Sequence, residues 1–541
     1  MSTKRFLNEV LEPSTVKGYY QPLAMISLML DYAAGGRENN LRPFHVTSLS
    51  LHTANTALII ALLYMLFGNI WAAAAAGLLF GVHPLTVEPI PWVGERKTLL
   101  AAFFALWSLI LYVRYSRGGG WKFYTGCFVM YLLALMSKPT SLPLPAVMLL
   151  MDYWPLKRLS VKSFWEKLPL FVLAGVFAVI TYISQHRTGG TISPAKYEPW
   201  HIPLVLCHNI IFYLYKIILP INLSSHYAFP KPFGLSNTMV LAGVIGTCIL
   251  IPILLVSLRW TRAALTGWLI FFAAIFPTMG IVGFTNVIAS DKYAYLPSIG
   301  LLMIVTTLLI WIGKSNKFRT AAVAFVLILA SAEATATQRY LVCWKDTITL
   351  AQHMVLMSPD SAIVYQNLGF AYGRLGRNEE EIEVCKKAVK IKPDYAEAYN
   401  SLGAAYYRIG RIQDAINAYQ QTIKNKPDYV DAYNNLSVAY VRLGRFQDAV
   451  DVSLQAIKLK PDFVKAYNSL GTAYNKLGRY PEAIENYRQA IRLNPGYVTA
   501  HYNLGQTYLA AGDRNFALEE FKILQKLDMT KANLLFNDIN K

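Results

Sequence analysis

A 34-residue period repeats along the C-terminal third of the chain. Proline, leucine and glycine each recur five times with that step. The positions are Pro359, Pro393, Pro427, Pro461 and Pro495, then Leu368, Leu402, Leu436, Leu470 and Leu504, and then Gly376, Gly410, Gly444, Gly478 and Gly512. Such a leucine fills a seam between helices, the glycine permits a left-handed helix end, and the proline stops the following helix. The period therefore predicts five helical hairpins stacked in a row.

The units follow the signature of the tetratricopeptide repeat, completely in the second and fourth units and with substitutions in the others. Its order is Tyr-x-x-Leu-Gly-x-x-Tyr, followed by Gly, Ala, an aromatic residue and Pro. Repeats of this kind stack into an α-solenoid with a concave binding surface. We expect five repeats over residues 360–529, a degenerate half-repeat over 339–359 and a short polar C-terminal cap over 530–541.

The first helix of the repeats carries two rows of polar residues. Amides follow the leading tyrosine, and bases follow eight positions later. The amides are Asn400, Asn434 and Asn468, and the bases are Arg374, Arg408, Arg442 and Lys476. An amide row can hold a peptide backbone because each side chain both donates and accepts, and a basic row favours acidic segments. The alternative is that these are common residues that only keep the repeat surface soluble.

The preceding two thirds have the composition of a membrane protein. The 541-residue chain is 54% hydrophobic with a formal net charge of +19, and most of the basic excess precedes the repeats. Those bases cluster in short connections between apolar runs, whereas a nucleic-acid footprint needs a basic face on a soluble domain. We therefore expect an all-α transmembrane bundle over residues 46–338, an outer juxtamembrane segment over 1–45, and no nucleic-acid partner. About ten crossings are predicted, at 46–66, 70–83, 97–115, 122–137, 139–152, 168–184, 237–257, 263–280, 294–313 and 318–338.

Four basic connections set the expected orientation. They are 114–122, 157–167, 259–262 and 314–319, and the positive-inside rule places all four in the cytoplasm. They agree with one another if the stretch 203–220 lies along the outer interface rather than crossing. The solenoid then faces outside.

This orientation gathers charged loops at the outer face. Basic residues in outer loops are disfavoured by the positive-inside rule. The presence of Arg96, Lys97, Lys138 and Lys292 there therefore indicates an anionic partner such as a phosphate. Glu88 is a candidate for contacting substrate and equally for a structural cap or ion pair. Glu95 is expected to be a solvated partner of the neighbouring bases, and Asp291 to form a salt bridge with Lys292.

Several short motifs in this half resemble one family. They are Tyr19-Tyr20-Gln21-Pro22-Leu23, Phe44-His45 with His52, His83-Pro84-Leu85-Thr86-Val87-Glu88, Gly94-Glu95-Arg96-Lys97, Ser137-Lys138-Pro139 through Asp152-Tyr153-Trp154-Pro155, and Asp291-Lys292-Tyr293-Ala294-Tyr295-Leu296-Pro297. Together with the repeats they resemble the transmembrane and tetratricopeptide-repeat-containing protein O-mannosyltransferases, membrane glycosyltransferases of the C-type fold.

The resemblance implies a glycosyltransferase that moves a hexose such as mannose from polyprenyl phosphate to a protein or glycan acceptor recruited by the repeats. Such a reaction needs a carboxylate base and cations on the leaving phosphate. Glu88 and Asp291 are the candidate catalytic acids, and Lys138 and Lys292 the favoured phosphate contacts, with no cofactor and no metal site expected. We expect a bacterial inner membrane, with the repeats on the periplasmic side.

The chain departs from the family pattern in three ways. Gln21 stands where the family carries Arg, and Ser48 stands where the family usually carries Asn. Lys292 takes the place of an Arg of the family. The family's usual catalytic acid follows a first transmembrane helix upstream of the motif that contains Gln21, and nothing in this chain resembles that loop. A start codon placed too far downstream, a truncated gene and a homologue without the chemistry are the three explanations. The alternative function is a non-catalytic, membrane-anchored scaffold for protein–protein interaction.

Overall fold

A computed structural model describes residues 21–37, 39–187, 201–230, 232–279 and 288–540 of the chain. Throughout this part the chain is helical, and the described residues form no β-sheet. Two compact units divide at the first proline of the period, one ending at Ser358 and the other beginning at Pro359. The all-α fold class predicted from the sequence is confirmed.

The first unit is built from apolar helices of very different lengths. Its longer helices are α1 Pro22–Ala33, α2 Arg42–Phe67, α3 Ile70–Val82, α4 Arg96–Ser116, α5 Trp121–Ser137, α6 Leu144–Tyr153, α7 Leu168–Arg187, α8 His201–Ile218, α9 Thr238–Ser257, α10 Ala263–Ile275, α11 Ser298–Ile312, α12 Asn316–Val342 and α13 Thr347–Met357. Six segments of the described chain are long and apolar enough to cross a membrane: Arg42–Phe67, Val93–Ser116, Val161–His186, His201–Ile218, Thr238–Ser257 and Asn316–Val342. This unit is therefore a polytopic membrane domain.

The expected count of about ten crossings is not confirmed. Helix α6 has 10 residues, and at about 1.5 Å per residue it covers roughly half of a hydrocarbon core about 30 Å thick. His201–Ile218, placed by the sequence along the outer interface, is one of the six candidate spans. It packs closely on α9, where Gly243 lies against the backbone of His208.

Loops from distant parts of the sequence converge at one end of this bundle. The C-terminal ends of α3 and α5 and the N-terminal end of α4 lie there because these helices alternate in direction. Short helical turns at Pro84–Val87, Val93–Glu95, Pro139–Ser141 and Asp291–Ala294 make up this end. The predicted charged residues lie on these turns or directly beside them.

The basic connection 157–167 lies at the opposite end, where two of its bases are paired with acids. Asp152 and Lys167 are fully buried and form an ion pair, and Arg158 bonds Glu166 beside them. The Tyr112 hydroxyl donates to Asp152 at 2.6 Å. These contacts join α4, α6 and the start of α7, so this cluster is accounted for by packing.

The second unit consists of the predicted helical hairpins. Its helices are α14 Ala362–Arg374, α15 Asn378–Ile391, α16 Ala396–Arg408, α17 Ile412–Asn425, α18 Val430–Leu443, α19 Phe446–Leu459, α20 Val464–Lys476, α21 Tyr480–Leu493, α22 Val498–Ala510, α23 Arg514–Leu527 and α24 Met529–Ile539. The glycine of every repeat has a positive φ, for example +84° at Gly444, the helix end that the sequence predicted.

The C-terminal segment differs from the polar cap that we expected. Helix α24 is amphipathic and buries Ala532, Leu535 and Ile539 against the last hairpin. An end repeat otherwise leaves its apolar face in water, so a terminal helix that covers it stabilises a solenoid.

Candidate functional site

Glu95 is the centre of a buried charge cluster at the loop-rich end of the bundle. Its carboxylate is 2% exposed and lies 3.0 Å from the Nζ atoms of both Lys138 and Lys292. The Lys97 Nζ atom lies 3.9 Å from the Glu95 carboxylate, and the Thr98 hydroxyl donates to the same carboxylate at 2.5 Å. Our expectation of a solvated Glu95 is wrong, because neighbouring turns enclose it. Three lysines around one carboxylate leave the cluster with a net positive charge.

One small cavity is lined by two of these lysines, and a second cavity adjoins the first. The first, about 20 Å³ in volume, is lined by Lys138, Lys292, Thr98 and Ser141 among others. It is large enough for one water molecule, and the buried Ser141 hydroxyl has no hydrogen-bond partner among the described residues. The second has the same volume, shares Ser141, and is otherwise lined mainly by apolar side chains such as Val147 and Ile299. A polar recess thus opens beside an apolar one.

Glu88 is fully buried and has no hydrogen-bond partner within the described chain, for either carboxylate oxygen. It caps the short turn Pro84–Val87. Burial raises the pKa of Glu88 well above its usual value, the nearby Asp291 raises it further, and Lys292 and Lys138 act in the opposite direction. A neutral carboxyl group here adds no negative charge to the lysine cluster.

Asp291 is also buried but is fully engaged. It accepts hydrogen bonds from the Ser224 backbone N–H at 2.6 Å and from the Tyr227 hydroxyl at 3.0 Å. Burial raises the pKa of Asp291 to about 7. The ion pair that we expected between Asp291 and Lys292 is replaced by the pair of Lys292 with Glu95.

Arg96 does not join the lysines. Its guanidinium is fully buried, pairs with Asp31 at 2.7 Å and donates to Ser48 at 3.1 Å and to the Phe44 carbonyl at 2.5 Å. Arg96 therefore ties the start of α4 to α1 and α2. Ser48, one of the departures from the family pattern, is one of its partners.

The amides of the solenoid connect successive repeats. Asn400 Oδ1 accepts from Asn435 at 3.1 Å, and Asn468 Oδ1 accepts from Asn503 at 3.1 Å. Asn434 Oδ1 accepts from the Ser469 hydroxyl at 2.9 Å. Because the oxygen of each amide is held by the next repeat, the NH₂ group of the same side chain points elsewhere.

The basic row is exposed and partly engaged. Arg408 donates to Asn378 and Glu381 of the preceding repeat, and the Arg442 guanidinium lies 5.0 Å from the Tyr407 ring centre. Arg374 and Lys476 are exposed at the ends of their helices. Part of this row thus supports the packing of repeats.

Within the described residues, no group of three or more His, Cys, Asp and Glu side chains could hold a metal ion. Four acids that the orientation places outside, Glu9, Glu12, Glu38 and Glu198, lie outside the described residues, as do Tyr19 and Tyr20 of the first motif.

Sequence reasoning missed the hydroxyl groups of the site. Thr98 follows Glu95 by three residues and Ser141 follows Lys138 by three, the spacing that places side chains on one side of a helical turn. That spacing could have identified both hydroxyl groups from the sequence. No sequence signal indicates that Trp92 and Trp344 are close, because their proximity depends on tertiary packing. Their ring centres are 5.7 Å apart.

Comparison with known proteins identifies the repeats directly. Family models described as "TPR repeat" match residues 374–410 and 471–512, and models described as "Tetratricopeptide repeat" match 400–464 and 453–485. Among solved structures, the MamA protein is 28% identical and covers 32% of this chain and 96% of its own, with a TM-score of 0.29. YrrB, titled a TPR protein with an unusual peptide-binding site, is 21% identical over 35% of this chain and 97% of its own, with a TM-score of 0.29.

Curated relatives extend the likeness beyond the repeats. Protein O-mannosyl-transferase F38B6.6 of Caenorhabditis elegans is 23% identical over 404 residues, 70% of this chain and 54% of the relative. That match is longer than the solenoid unit, so it reaches into the membrane unit. Protein O-mannosyl-transferase TMTC2 of Homo sapiens is 28% identical over 27% of this chain and 18% of its own length. The chain spans about half the length of the worm relative. The resemblance predicted from the sequence is confirmed.

Proposed function

We propose that this chain, a relative of the protein O-mannosyl-transferases, transfers a hexose such as mannose from polyprenyl phosphate to a protein or glycan acceptor. The observation that carries the proposal is the pair Lys138 and Lys292, held 3.0 Å from one buried carboxylate beside a polar recess. The recess as it stands holds one water molecule, so a phosphate requires the surrounding turns to part, and it then meets two ammonium groups and the hydroxyl of Ser141. The adjoining apolar cavity has the same small volume and marks the apolar side from which the start of a polyprenyl chain would approach.

The reaction requires charge stabilisation at the leaving group. The acceptor oxygen attacks C1 of the sugar, the bond from C1 to the phosphate oxygen breaks, and the phosphate leaves with the bonding electrons. Preorganised cations in a site shielded from water stabilise that developing charge strongly. Lys138 and Lys292 fill this role, and Glu95 holds both in place.

The proton of the acceptor hydroxyl goes to a carboxylate. Glu88 and Asp291 are the candidates, and burial raises the pKa of both. A carboxylate with a pKa near 7 is a stronger base than a solvated one and is still ionised in part at neutral pH. Asp291 meets this condition, whereas burial holds Glu88 neutral, so Asp291 is the favoured base of the two candidates.

The direct test is a transfer assay with the full chain in lipid nanodiscs. Radiolabelled mannosyl or glucosyl polyprenyl phosphate serves as the donor, and unfolded secreted proteins serve as acceptors. Incorporation of label into acceptor protein supports the proposal. Absence of transfer, with proteins still bound by the solenoid unit, would favour the alternative function, a non-catalytic scaffold in the membrane.

Phosphate binding is expected to weaken as the pH rises above 8. Burial lowers the pKa of Lys138 to about 8, although Glu95 opposes the shift, so Lys138 loses its charge above that pH. Lys97, Lys292, Thr98 and Tyr293 face the same group, and burial raises the pKa of Tyr293, which keeps it neutral in this range. The affinity for a charge-invariant phosphodiester lipid should fall by up to about tenfold per pH unit.

Titration calorimetry between pH 6.5 and 9.5 measures this effect. Lys138→Arg is the matched control, because a guanidinium stays protonated throughout. Its binding profile should be flat above pH 8. A flat profile for the unmodified chain would contradict the assignment of Lys138.

The solenoid is proposed to bind extended peptides through its amide row. With their oxygens held by the next repeat, Asn400, Asn434 and Asn468 direct NH₂ groups that can donate to peptide carbonyls. The exposed bases beside them favour acidic segments. The proposed location is a bacterial inner membrane with this unit on the periplasmic side.

Asn434→Asp is expected to lower the affinity for an extended acidic peptide by about tenfold, because it keeps the oxygen that accepts from Ser469 but removes the donor. Asn417→Asp is the charge-matched control, since Asn417 is exposed on a second helix and also accepts through Oδ1. Fluorescence anisotropy measures both. Equal affinities for the two variants would contradict the amide row.

A further inference from the structure

Buried polar atoms with few or no partners converge near the lysine pair. Besides the two oxygens of Glu88, the Tyr340 hydroxyl and the Trp344 indole N–H interact with each other and have no further partner among the described residues. Leaving one such group unpaired costs free energy. Native sites that hold several of them are explained by a ligand or by water.

These groups come from separate elements that pack together. The end of α12 is fixed by the Thr337 hydroxyl, which donates to the Val82 carbonyl at 2.6 Å. One turn later Tyr340 belongs to the same apolar cluster as Leu85 and Ala294. The Tyr340 and Trp344 rings lie edge to face with centres 6.2 Å apart. Glu88 follows Leu85 by three residues, so the carboxyl group and the two aromatic side chains share this region.

Two indole rings form a wall at the edge of this region. The rings of Trp92 and Trp344 are inclined at 43° and are both half-buried. The Lys292 Nζ atom lies 3.9 Å from the Trp92 ring centre and 3.0 Å from Glu95. Lys292 therefore connects the indole wall to the polar recess at Lys138.

The chemistry of this region differs from that of the recess. Hydroxyl groups of a sugar both donate and accept, and a buried carboxyl, a phenol and an indole N–H together supply both kinds of partner. An indole face is an apolar platform with a polar edge, suited to the C–H face of a hexose ring. A lipid tail would leave both Glu88 oxygens unpaired and would give the Tyr340 hydroxyl and the Trp344 N–H no partner beyond each other.

We propose that Glu88, Tyr340 and Trp344, with Trp92 as a wall, form the site for the hexosyl group, and that Lys292 marks its junction with the phosphate. This inference rests on the proposed function and adds a sugar-binding role for residues that serve no part in phosphate binding. Glu88 contacts the sugar hydroxyls directly.

The test is equilibrium binding to the full chain in nanodiscs, with no transfer required. The two probes are a short-chain polyprenyl phosphate that carries mannose and the methyl ester of the same lipid phosphate, which has equal charge and no sugar. The unmodified chain should bind the mannosyl probe at least about tenfold more tightly. Tyr340→Phe, Trp344→Phe and Glu88→Gln should each remove most of that preference and change the affinity for the methyl ester by less than about twofold.

Trp260→Phe is the matched control, because Trp260 is exposed beyond the end of α9. Tyr340→Phe removes only one oxygen atom, so it tests the site even if Glu88→Gln fails to fold. Equal binding of the two probes, or a preference that survives Tyr340→Phe and Trp344→Phe, would overturn the sugar site and leave the phosphate site standing. Failure of the unmodified chain to bind either probe would overturn the proposed function and this inference with it.

Discussion

Lys138→Met should lower transfer from polyprenyl phosphate by roughly 100-fold or more, the loss found when one preorganised charge-stabilising group is removed from an active site. Methionine keeps much of the length and apolar volume of lysine. Glu95 retains Lys292 at 3.0 Å in the variant, so the buried carboxylate is not left without a cation. Lys292→Met should have an effect of similar size.

The measurement is the rate of label transfer to acceptor at saturating acceptor concentration. Lys122→Met is the control, because Lys122 is exposed at the opposite end of the bundle. Thermal unfolding of each variant separates lost chemistry from lost structure. Unchanged rates in both Lys138→Met and Lys292→Met would rule out the lysine pair as the phosphate contact.

Arg96→Met is expected to destabilise the membrane unit by about 3–5 kcal/mol, the cost of removing one partner from a buried ion pair. The substitution leaves Asp31 buried without its cation and leaves the Phe44 carbonyl and the Ser48 hydroxyl without their donor. Adding Asp31→Asn should recover part of that loss, because it removes the unpaired charge.

Denaturant titration in detergent micelles measures the free energy of unfolding. Arg114→Met is the control, since Arg114 is exposed near the end of α4. If Arg96→Met unfolds like the unmodified chain but loses affinity for a phosphodiester lipid, then Arg96 binds phosphate as the sequence predicted, and its structural role is refuted.

The solenoid was predictable almost residue by residue because its information is local. A fixed period places Leu436, Gly444 and Pro461 at equivalent points of every hairpin, and each hairpin packs mainly on its neighbours. The C-terminal helix was missed because its buried face, around Leu535, belongs to no repeat.

The membrane half was predictable in class but not in detail. Hydropathy identifies apolar helices, yet it cannot tell a helix that crosses from one such as α6 that ends within the bundle. Topological charge bias singled out Lys138 and Lys292, which the structure places together around Glu95. It could not separate them from Arg96, because the partner that draws Arg96 away, Asp31, lies 65 residues earlier in the sequence.

The two acids Glu88 and Glu95 also could not be told apart reliably from the sequence, because their surroundings depend on tertiary contacts. Glu88 and Glu95 are seven residues apart, and the sequence indicated Glu88 as a substrate contact or cap and Glu95 as a solvated partner of the bases. In the structure, Glu95 lies within ion-pair distance of three lysines, whereas Glu88 has no hydrogen-bond partner among the described residues. Only tertiary contacts with Lys138 and Lys292 distinguish them.

The most direct measurement is a cryo-electron-microscopy map of the full chain in nanodiscs with a non-transferable mannosyl polyprenyl phosphonate. The account predicts phosphonate density within hydrogen-bonding distance of Lys138 and Lys292, and lipid density entering the apolar cavity beside Val147. Phosphonate density at any other part of the protein, with the lysine pair still bound only to Glu95, would contradict it.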